Sequence, residues 1–188
     1  MNKITLPQLK KQLKSYKQEE LISIILDCYK SSADVKNYIH MLLEPEGTEE
    51  QLYEETKKKI RNQFYPDRGQ PKLKLAEAKK AITEFGKLSS NEARLLDLMI
   101  YYVELGVEFT NDYGDMYDSY YSSMVSMFRN VMDRINTMST YTLFQDRLKL
   151  ILHNTQHIGW GFGDALADIF YTVALDFEDE LKDEEEED

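Results

Sequence analysis

The chain has 188 residues, of which 42% are hydrophobic and 30% are charged, a balance that predicts one folded domain over residues 1–182 and an acidic tail over residues 183–188. The single cysteine, Cys28, excludes an internal disulfide and a cysteine-based zinc site. The formal net charge of −11 disfavours general binding to nucleic acid or to an anionic membrane. The longest uncharged apolar run, residues 98–103, is far shorter than the ~20 residues of a membrane span. Residues 1–7 do not resemble a signal peptide, so we expect a cytoplasmic protein.

Three short helices are predicted at the start of the chain. Thr5 and Gln8 form a capping box, and the apolar residues that follow recur at three- and four-residue spacing, which is typical of one helical face. A second apolar helix follows a break at residues 15–17, and Ser32 caps a third helix that extends through residue 43. Residues 19–43, which contain the second and third helices, resemble one repeat of a solenoid, but the sequence has no second copy at a fixed period.

The rest of the chain is also predicted to be helical. Pro45 and Gly47 should stop the third helix, and a second capping box, Thr48 with Gln51, should open a fourth that ends before Pro66. After a loop over residues 66–71, helices are expected at roughly 73–87, 91–112, 116–138, 141–156 and 164–181. No segment has a strand pattern. The sequence therefore predicts an all-α domain of eight or nine helices.

The helix over residues 91–112 is apolar around most of its circumference, so we expect it to be central. Its predicted core residues are Leu96, Met99, Ile100, Val103 and Val107. One narrow polar stripe remains, which either meets solvent or lines a cleft: Asp97, Tyr101, Glu104, Glu108 and Asn111. Because a buried carboxylate needs a partner, we expect Tyr101, Glu104 and Asn111 to converge near Trp160 or Arg68.

Residues 57–80 carry nine basic side chains against two acidic ones, a local net charge of +7. Cations beside aromatic residues are typical of phosphate or nucleic-acid binding, and the candidate ligand-binding residues are Arg61, Arg68, Lys72 and Lys74. Alternatively, this segment is a solvated face that offsets the acidic half of the chain. Residues 176–188 have a net charge of −9, and we consider three arrangements for them: free in solution, lying on the basic segment, or reserved for a partner.

The glycine-rich turn at residues 159–164 has two interpretations. Alternate glycines before a helix suggest a backbone nest for phosphate. The other interpretation is a tight turn between helices in which Trp160 and Phe162 are buried plugs and Asp164 caps the next helix.

Three residue pairs at i, i+4 spacing place ligand-type side chains on one helical face, as a metal site would require. The pairs are Glu104 with Glu108, His153 with His157, and Asp164 with Asp168. Carboxylate-bridged metal bundles use Glu-x-x-His motifs on two helices, and this sequence has none, so we expect no metal and no cofactor. It also lacks a nucleophile elbow, and Cys28 is expected to be a small buried residue, so no catalytic residue is predicted.

Several motifs resemble an uncharacterised family of small bacterial helical proteins, a domain of unknown function. They are Ile4-Thr5-x5-Lys11-x-Leu13-Lys14 with Glu20-Leu21-Ile22, Asn62-Gln63-Phe64-Tyr65-Pro66-x-Arg68-Gly69, Tyr101-Tyr102-Val103-Glu104-x-Gly106-Val107-x-Phe109-Thr110-Asn111-x-Tyr113-Gly114-Asp115 and Ile158-Gly159-Trp160-Gly161-Phe162-x-Asp164. The resemblance implies a cytoplasmic bacterial origin and one compact unit, and it brings no activity. The first helix pair also resembles the helix-extension-helix DNA-binding module called SAP, without the glycine usual in its turn.

These observations favour a helical binding or interaction module with a protein partner and no catalytic activity. The alternative is a phosphate-directed protein that binds nucleic acid or acts on a phosphorylated ligand through residues 57–80. The candidate site residues are Arg61, Arg68, Lys72, Tyr101, Glu104, Asn111, Trp160 and Asp164.

Overall fold

The computed structural model describes the backbone of residues 4–135 and 137–186, and the side chains of the same residues except 176 and 178–186. These residues form nine α-helices and no strand, which confirms the predicted all-α fold. The helices are α1 (Leu6–Leu13), α2 (Gln18–Ser31), α3 (Ala33–Leu43), α4 (Pro45–Phe64), α5 (Leu75–Leu88), α6 (Glu92–Tyr113), α7 (Asp118–Met132), α8 (Met138–Thr155) and α9 (Phe162–Glu186). No described helix combines the length and the apolar character needed to span a membrane.

The chain divides into two compact units, Met1–Glu50 and Gln51–Asp188, and the boundary falls within α4. A single domain over residues 1–182 stays a prediction. The side chains of the predicted acidic tail, residues 183–188, lie outside the described residues.

The first unit contains α1, α2 and α3, and none of the residues in these three helices is buried. The predicted caps are present: the Thr5 backbone N–H donates to Gln8 Oε1 at 2.9 Å, and the Val35 N–H donates to Ser32 Oγ at 3.4 Å. Within this unit α2 packs against α3. The expectation that Cys28 is buried is wrong, because the side of α2 that carries Cys28 is exposed.

Two predicted helix boundaries are also wrong. The fourth helix begins at Pro45 rather than at Thr48, because proline fits the first turn of a helix, where its missing N–H has no partner to lose. The seventh helix ends at Met132 rather than near residue 138. There Thr137 starts a new helix, since its Oγ1 accepts a hydrogen bond from the Thr140 N–H at 3.3 Å.

The core of the second unit is built around α6, which packs against α5, α7 and α8. The predicted core residues are confirmed: Leu96, Ile100 and Val103 are 0% exposed, Val107 is 2% exposed and Met99 is 5% exposed. Gly106 lets α7 approach closely, because a Cβ at this position would lie 2.3 Å from the Met124 sulfur. The carbonyl of Gly106 also accepts a hydrogen bond from the buried Tyr120 hydroxyl at 2.9 Å.

Candidate functional site

The polar stripe of α6 meets a cation from α8. Arg147 donates from Nε and Nη2 to the two carboxylate oxygens of Glu104, each at 2.8 Å, and from Nη1 to Asp97. The three side chains are between 22% and 32% exposed. Burial disfavours the charged guanidinium, but the hydrogen bonds and negative charges of Glu104 and Asp97 outweigh burial and raise the pKa of Arg147. Arg147 therefore stays protonated and holds both carboxylates.

Two residues of α4, Tyr53 and Lys57, extend this cluster. We call the five side chains together the Arg147 network: Arg147, Asp97, Glu104, Tyr53 and Lys57. The Tyr53 hydroxyl donates to Asp97, and burial together with this carboxylate raises the pKa of Tyr53. The Lys57 ammonium lies 5.4 Å from the centre of the Tyr53 ring and 3.5 Å from its hydroxyl. The network thus contains two carboxylates and two cations, and each carboxylate has a partner.

The contacts described for Tyr101, Glu104 and Asn111 are with groups other than Trp160 and Arg68. Glu104 finds its cation in Arg147, the Tyr101 ring lies 5.2 Å from the Lys57 ammonium, and Asn111 donates from Nδ2 to the Asn154 carbonyl at 3.0 Å. A cleft of about 290 Å³ remains beside the network, lined by Tyr101, Glu104, Leu105, Val107, Glu108, Arg147, Leu150, Ile151 and Asn154.

Sequence reasoning missed Arg147, although its spacing carried a signal. The buried residues of α8 include Phe144 and Ile151, and Arg147 lies three residues after the first and four before the second. A cation beside the apolar face of a helix needs an anionic partner. The stripe offers three carboxylates, Asp97, Glu104 and Glu108, and Arg147 binds the first two.

The glycine-rich turn before α9 is only partly as expected. Phe162 is buried and its ring lies 4.8 Å from that of Tyr121, but Trp160 is 78% exposed, so its expected role as a buried plug is wrong. Trp160 and Gly161 both adopt the left-handed conformation, with φ of 64° and 68°, and this turn leaves the indole in solvent. Asp164 lies inside the first turn of α9 rather than at its cap, because the helix already begins at Phe162.

The basic segment forms a second cleft, of about 420 Å³, which we call the α4–α5 cleft. It brings together three of the predicted cations, Arg68, Lys72 and Lys74. The complete lining is Asn62, Gln63, Pro66, Asp67, Arg68, Gln70, Lys72, Lys74 and Glu77. Arg61 is not part of it. The guanidinium of Arg61 lies 5.6 Å from the centre of the Tyr65 ring, and the Tyr65 hydroxyl donates to Asp112 at 2.7 Å.

The loop that carries Arg68 and Lys72 is anchored at both ends. Gly69 takes φ of 83°, which glycine adopts without strain, whereas Leu73 takes φ of 48°. Leu73 is held there because its N–H donates to the Gln63 carbonyl at 3.0 Å and its side chain packs against the core. A non-glycine residue in this conformation persists only where its surroundings impose it. The cleft is therefore a preformed feature.

Similarity to known sequences extends over most of the chain. A family of unknown function, DUF6155, matches residues 4–172. The chain belongs to this family. The family assigns no activity to the residues above, and no curated protein and no solved structure matches the chain.

In this member of DUF6155, the paired ligand-type residues do not assemble a metal site. His153 is exposed on α8 and His157 in the turn that follows it, and Glu108 on α6 and Asp164 and Asp168 on α9 are also exposed. Among the side chains that the structure describes, no three histidine, cysteine or carboxylate residues are grouped to hold a metal ion.

Proposed function

We propose that this protein is an interaction module without catalytic activity that docks through the apolar surface of its first unit. The observation that carries the proposal is the exposure of eleven large apolar side chains in residues 4–50: Ile4, Leu6, Leu9, Tyr16, Ile22, Ile24, Ile25, Leu26, Tyr38, Leu42 and Leu43. Single exposed apolar residues are ordinary, but eleven of them within fifty residues are typical of a unit that docks on a partner.

The surface contains a groove of about 360 Å³ between α2 and α3. Its apolar walls are formed by Ile25, Leu26, Ile39 and Leu43. The rest of the lining consists of Tyr29, His40 and Glu44. The Tyr29 hydroxyl and His40 Nε2 are hydrogen-bonded at 2.8 Å, and their rings stack. These contacts fix the lining side chains and leave the apolar walls open to a partner.

The occupant that fits best is α1 of a second copy of the chain. Leu6, Leu9 and Leu13 share one face of α1, as a helix docked into a groove requires. The charges also match: residues 1–18 carry five lysines and no acid, whereas residues 19–50 carry eight acids and two lysines. A two-fold pair would place each basic α1 on the acidic α2–α3 pair of the other copy.

The test is the mass of the particle in solution as a function of protein concentration. We expect a dimer that Leu9→Ser and Leu43→Ser each weaken, because one removes an apolar contact from α1 and the other from the groove. Leu150→Ser, at an exposed leucine of α8, is the matched control and should leave the dimer unchanged. A chain that remains a monomer at about 100 µM, or a dimer insensitive to Leu9→Ser, would contradict this assignment of the occupant.

A free thiol supports a cytoplasmic location. Cys28 is exposed and unpaired, and such thiols are typical of reducing compartments. We propose this location together with the bacterial origin that the sequence resemblance implies.

A phosphate-directed function is the second candidate, and the α4–α5 cleft favours it. Arg68, Lys72 and Lys74 converge on one preformed cavity instead of being spread along the surface. A salt series with a labelled oligonucleotide tests the nucleic-acid form of this function. Each phosphate neutralised on duplex DNA would make the logarithm of the binding constant fall by ~0.9 per unit of log salt.

A further inference from the structure

The cations of the α4–α5 cleft differ in whether their charge is already compensated. Glu77 lies 2.7 Å from Lys74, and Asp67 lies 4.0 Å from Lys58, which is outside the cleft lining. Among the side chains that the structure describes, Arg68 and Lys72 have no carboxylate within 4.0 Å. Two uncompensated cations match the −1.5 to −2 charge that a phosphate monoester carries at about neutral pH.

Gln63, which also lines the cleft, offers one acceptor. Gln63 Oε1 is buried and has no hydrogen-bond partner among the described residues. Gln63 lies in the last turn of α4, where the carbonyl end of the helix dipole also favours a donor or a positive charge. An unpaired buried acceptor is costly, so a ligand donor at this position would be favourable.

Polynucleotide binding needs a basic track longer than this cleft. Outside it, Lys58 lies beside Asp67, and Lys80 lies 3.5 Å from Glu84. Arg61 stacks on Tyr65, whose hydroxyl is bonded to Asp112. Acidic groups therefore interrupt the surface around the cleft. Its volume of about 420 Å³ falls in the range of small-molecule sites.

We infer that the α4–α5 cleft binds a small phosphate ester that also carries a hydroxyl or ammonium group. The phosphate lies against Arg68 and Lys72, and the hydroxyl or ammonium group donates to Gln63 Oε1. This inference rests on the phosphate-directed function proposed above and names the class of its ligand.

The experiment is calorimetric titration of the full chain with glycerol phosphate, phosphoethanolamine, inorganic phosphate and glycerol. We expect saturable binding of the two esters with Kd of about 1 mM or lower, and at least about fivefold weaker binding of inorganic phosphate. Glycerol alone should not bind, because it lacks the charged group.

Two substitutions separate the phosphate contact from the donor contact. Arg68→Gln with Lys72→Gln should weaken every phosphate probe at least about tenfold, since both residues are exposed and their loss does not disturb the core. Gln63→Leu should weaken the two esters to the level of inorganic phosphate and leave inorganic phosphate unchanged. Gln63→Glu, which keeps the acceptor, should make the protein prefer phosphoethanolamine over glycerol phosphate.

The matched control removes the same charge from the same segment outside the cleft. Lys59→Gln with Lys80→Gln should leave all affinities unchanged, because neither residue lines the cleft. Equal losses in the control and in the Arg68 and Lys72 variant would overturn the site, because they would indicate only general electrostatic attraction.

The results of these titrations also distinguish a failure of the ester-binding inference from a failure of the phosphate-directed function on which it rests. Equal affinity for esters and inorganic phosphate, both dependent on Arg68 and Lys72, would overturn the donor contact and leave a phosphate-directed function standing. Binding of an oligonucleotide but of no small phosphate would overturn the ester and support the nucleic-acid form. No binding of any phosphate probe would overturn both.

Discussion

Residues 51–188 contain two groups of charged side chains that differ in whether each charge has a partner. In the Arg147 network, one guanidinium binds two carboxylates and a tyrosine hydroxyl donates to one of them. In the α4–α5 cleft, Arg68 and Lys72 are exposed on a loop, and a buried amide oxygen of Gln63 has no partner among the described atoms. Removing one partner of a paired, partly buried charge destabilises the fold because the other charge is left uncompensated, whereas uncompensated charges around a cavity are available to a ligand.

Candidate site residues therefore cannot be ranked by their chemical type alone. Glu104 and Arg68 were both candidates for one site, yet Glu104 is already bound within the protein. We expect substitutions in the network to change the free energy of unfolding, and substitutions in the cleft to change ligand binding alone.

We expect the largest loss in the free energy of unfolding for substitutions in the core around α6. Ile100 is fully buried, so Ile100→Ala should lower the free energy of unfolding by about 2–4 kcal/mol through lost burial and an added cavity. Urea denaturation measures this loss. Leu143→Ala, at a side chain that is 62% exposed, is the control and should change stability by less than about 0.5 kcal/mol. Comparable losses in the two variants would mean that α6 is not the centre of the core.

Substitution of Arg147 should cause the next largest loss in the free energy of unfolding. Arg147→Leu leaves Asp97 and Glu104 without their cation. Removing one partner of a fully buried pair costs about 3–5 kcal/mol, and partial exposure reduces this to about 2–3 kcal/mol. Arg134→Leu is the matched control, because Arg134 pairs with Glu92 at the surface and should contribute less than about 1 kcal/mol.

A double substitution sharpens this test. Arg147→Leu together with Glu104→Leu should be less destabilising than the sum of the single variants, because the second change removes a carboxylate that the first left unpaired. Additive losses in urea denaturation would show that Arg147 and Glu104 do not stabilise the fold as a pair.

The sequence predicted the local features of the fold better than the site. Helical periodicity and the Ser32 cap depend on residues three or four positions apart, so the all-α class and the core residues of α6 could be predicted. The pairing of Arg147 with Glu104 joins residues 43 positions apart, and a single sequence does not contain that proximity.

The errors have the same origin. The tight-turn interpretation of residues 159–164 makes Trp160 a buried plug, but two successive left-handed residues place it in solvent. Cys28 was assigned to the core because it lies in an apolar run, but the first unit buries none of its helix residues. In both cases the tertiary environment, and not the residue type, decided burial.

Alkaline pH should weaken the Arg147 network because the network contains Tyr53. The lining of the α4–α5 cleft contains no tyrosine, so we do not expect this effect there. Burial and Asp97 raise the pKa of Tyr53, and burial raises the pKa of Tyr102 to about 12. When folding raises the pKa of a tyrosine, the stability linked to that tyrosine is complete below its unfolded pKa of 10.0. This stability is lost as the pH rises through the folded pKa. We therefore expect the free energy of unfolding to fall above about pH 10.

A tyrosine substitution checks the assignment. In Tyr53→Phe, the decrease in stability above about pH 10 should be shallower than in the unsubstituted chain, because one group that ionises more readily in the unfolded state is gone. The unsubstituted chain, titrated over the same pH range, is the reference. Equal slopes for Tyr53→Phe and the unsubstituted chain would show that Tyr53 does not contribute to the alkaline loss.

The cleft should give the smallest change in stability. Arg68 and Lys72 are exposed and have no carboxylate partner, so Arg68→Gln with Lys72→Gln should change the free energy of unfolding by less than about 0.5 kcal/mol. Adding glycerol phosphate at about 100 times its Kd should stabilise the unsubstituted chain by about 2.7 kcal/mol, because the ligand binds only the folded state. The double variant should gain much less at the same ligand concentration. A double variant that is already destabilised without ligand would show that these cations contribute to folding, and the contrast with the Arg147 network would then be lost.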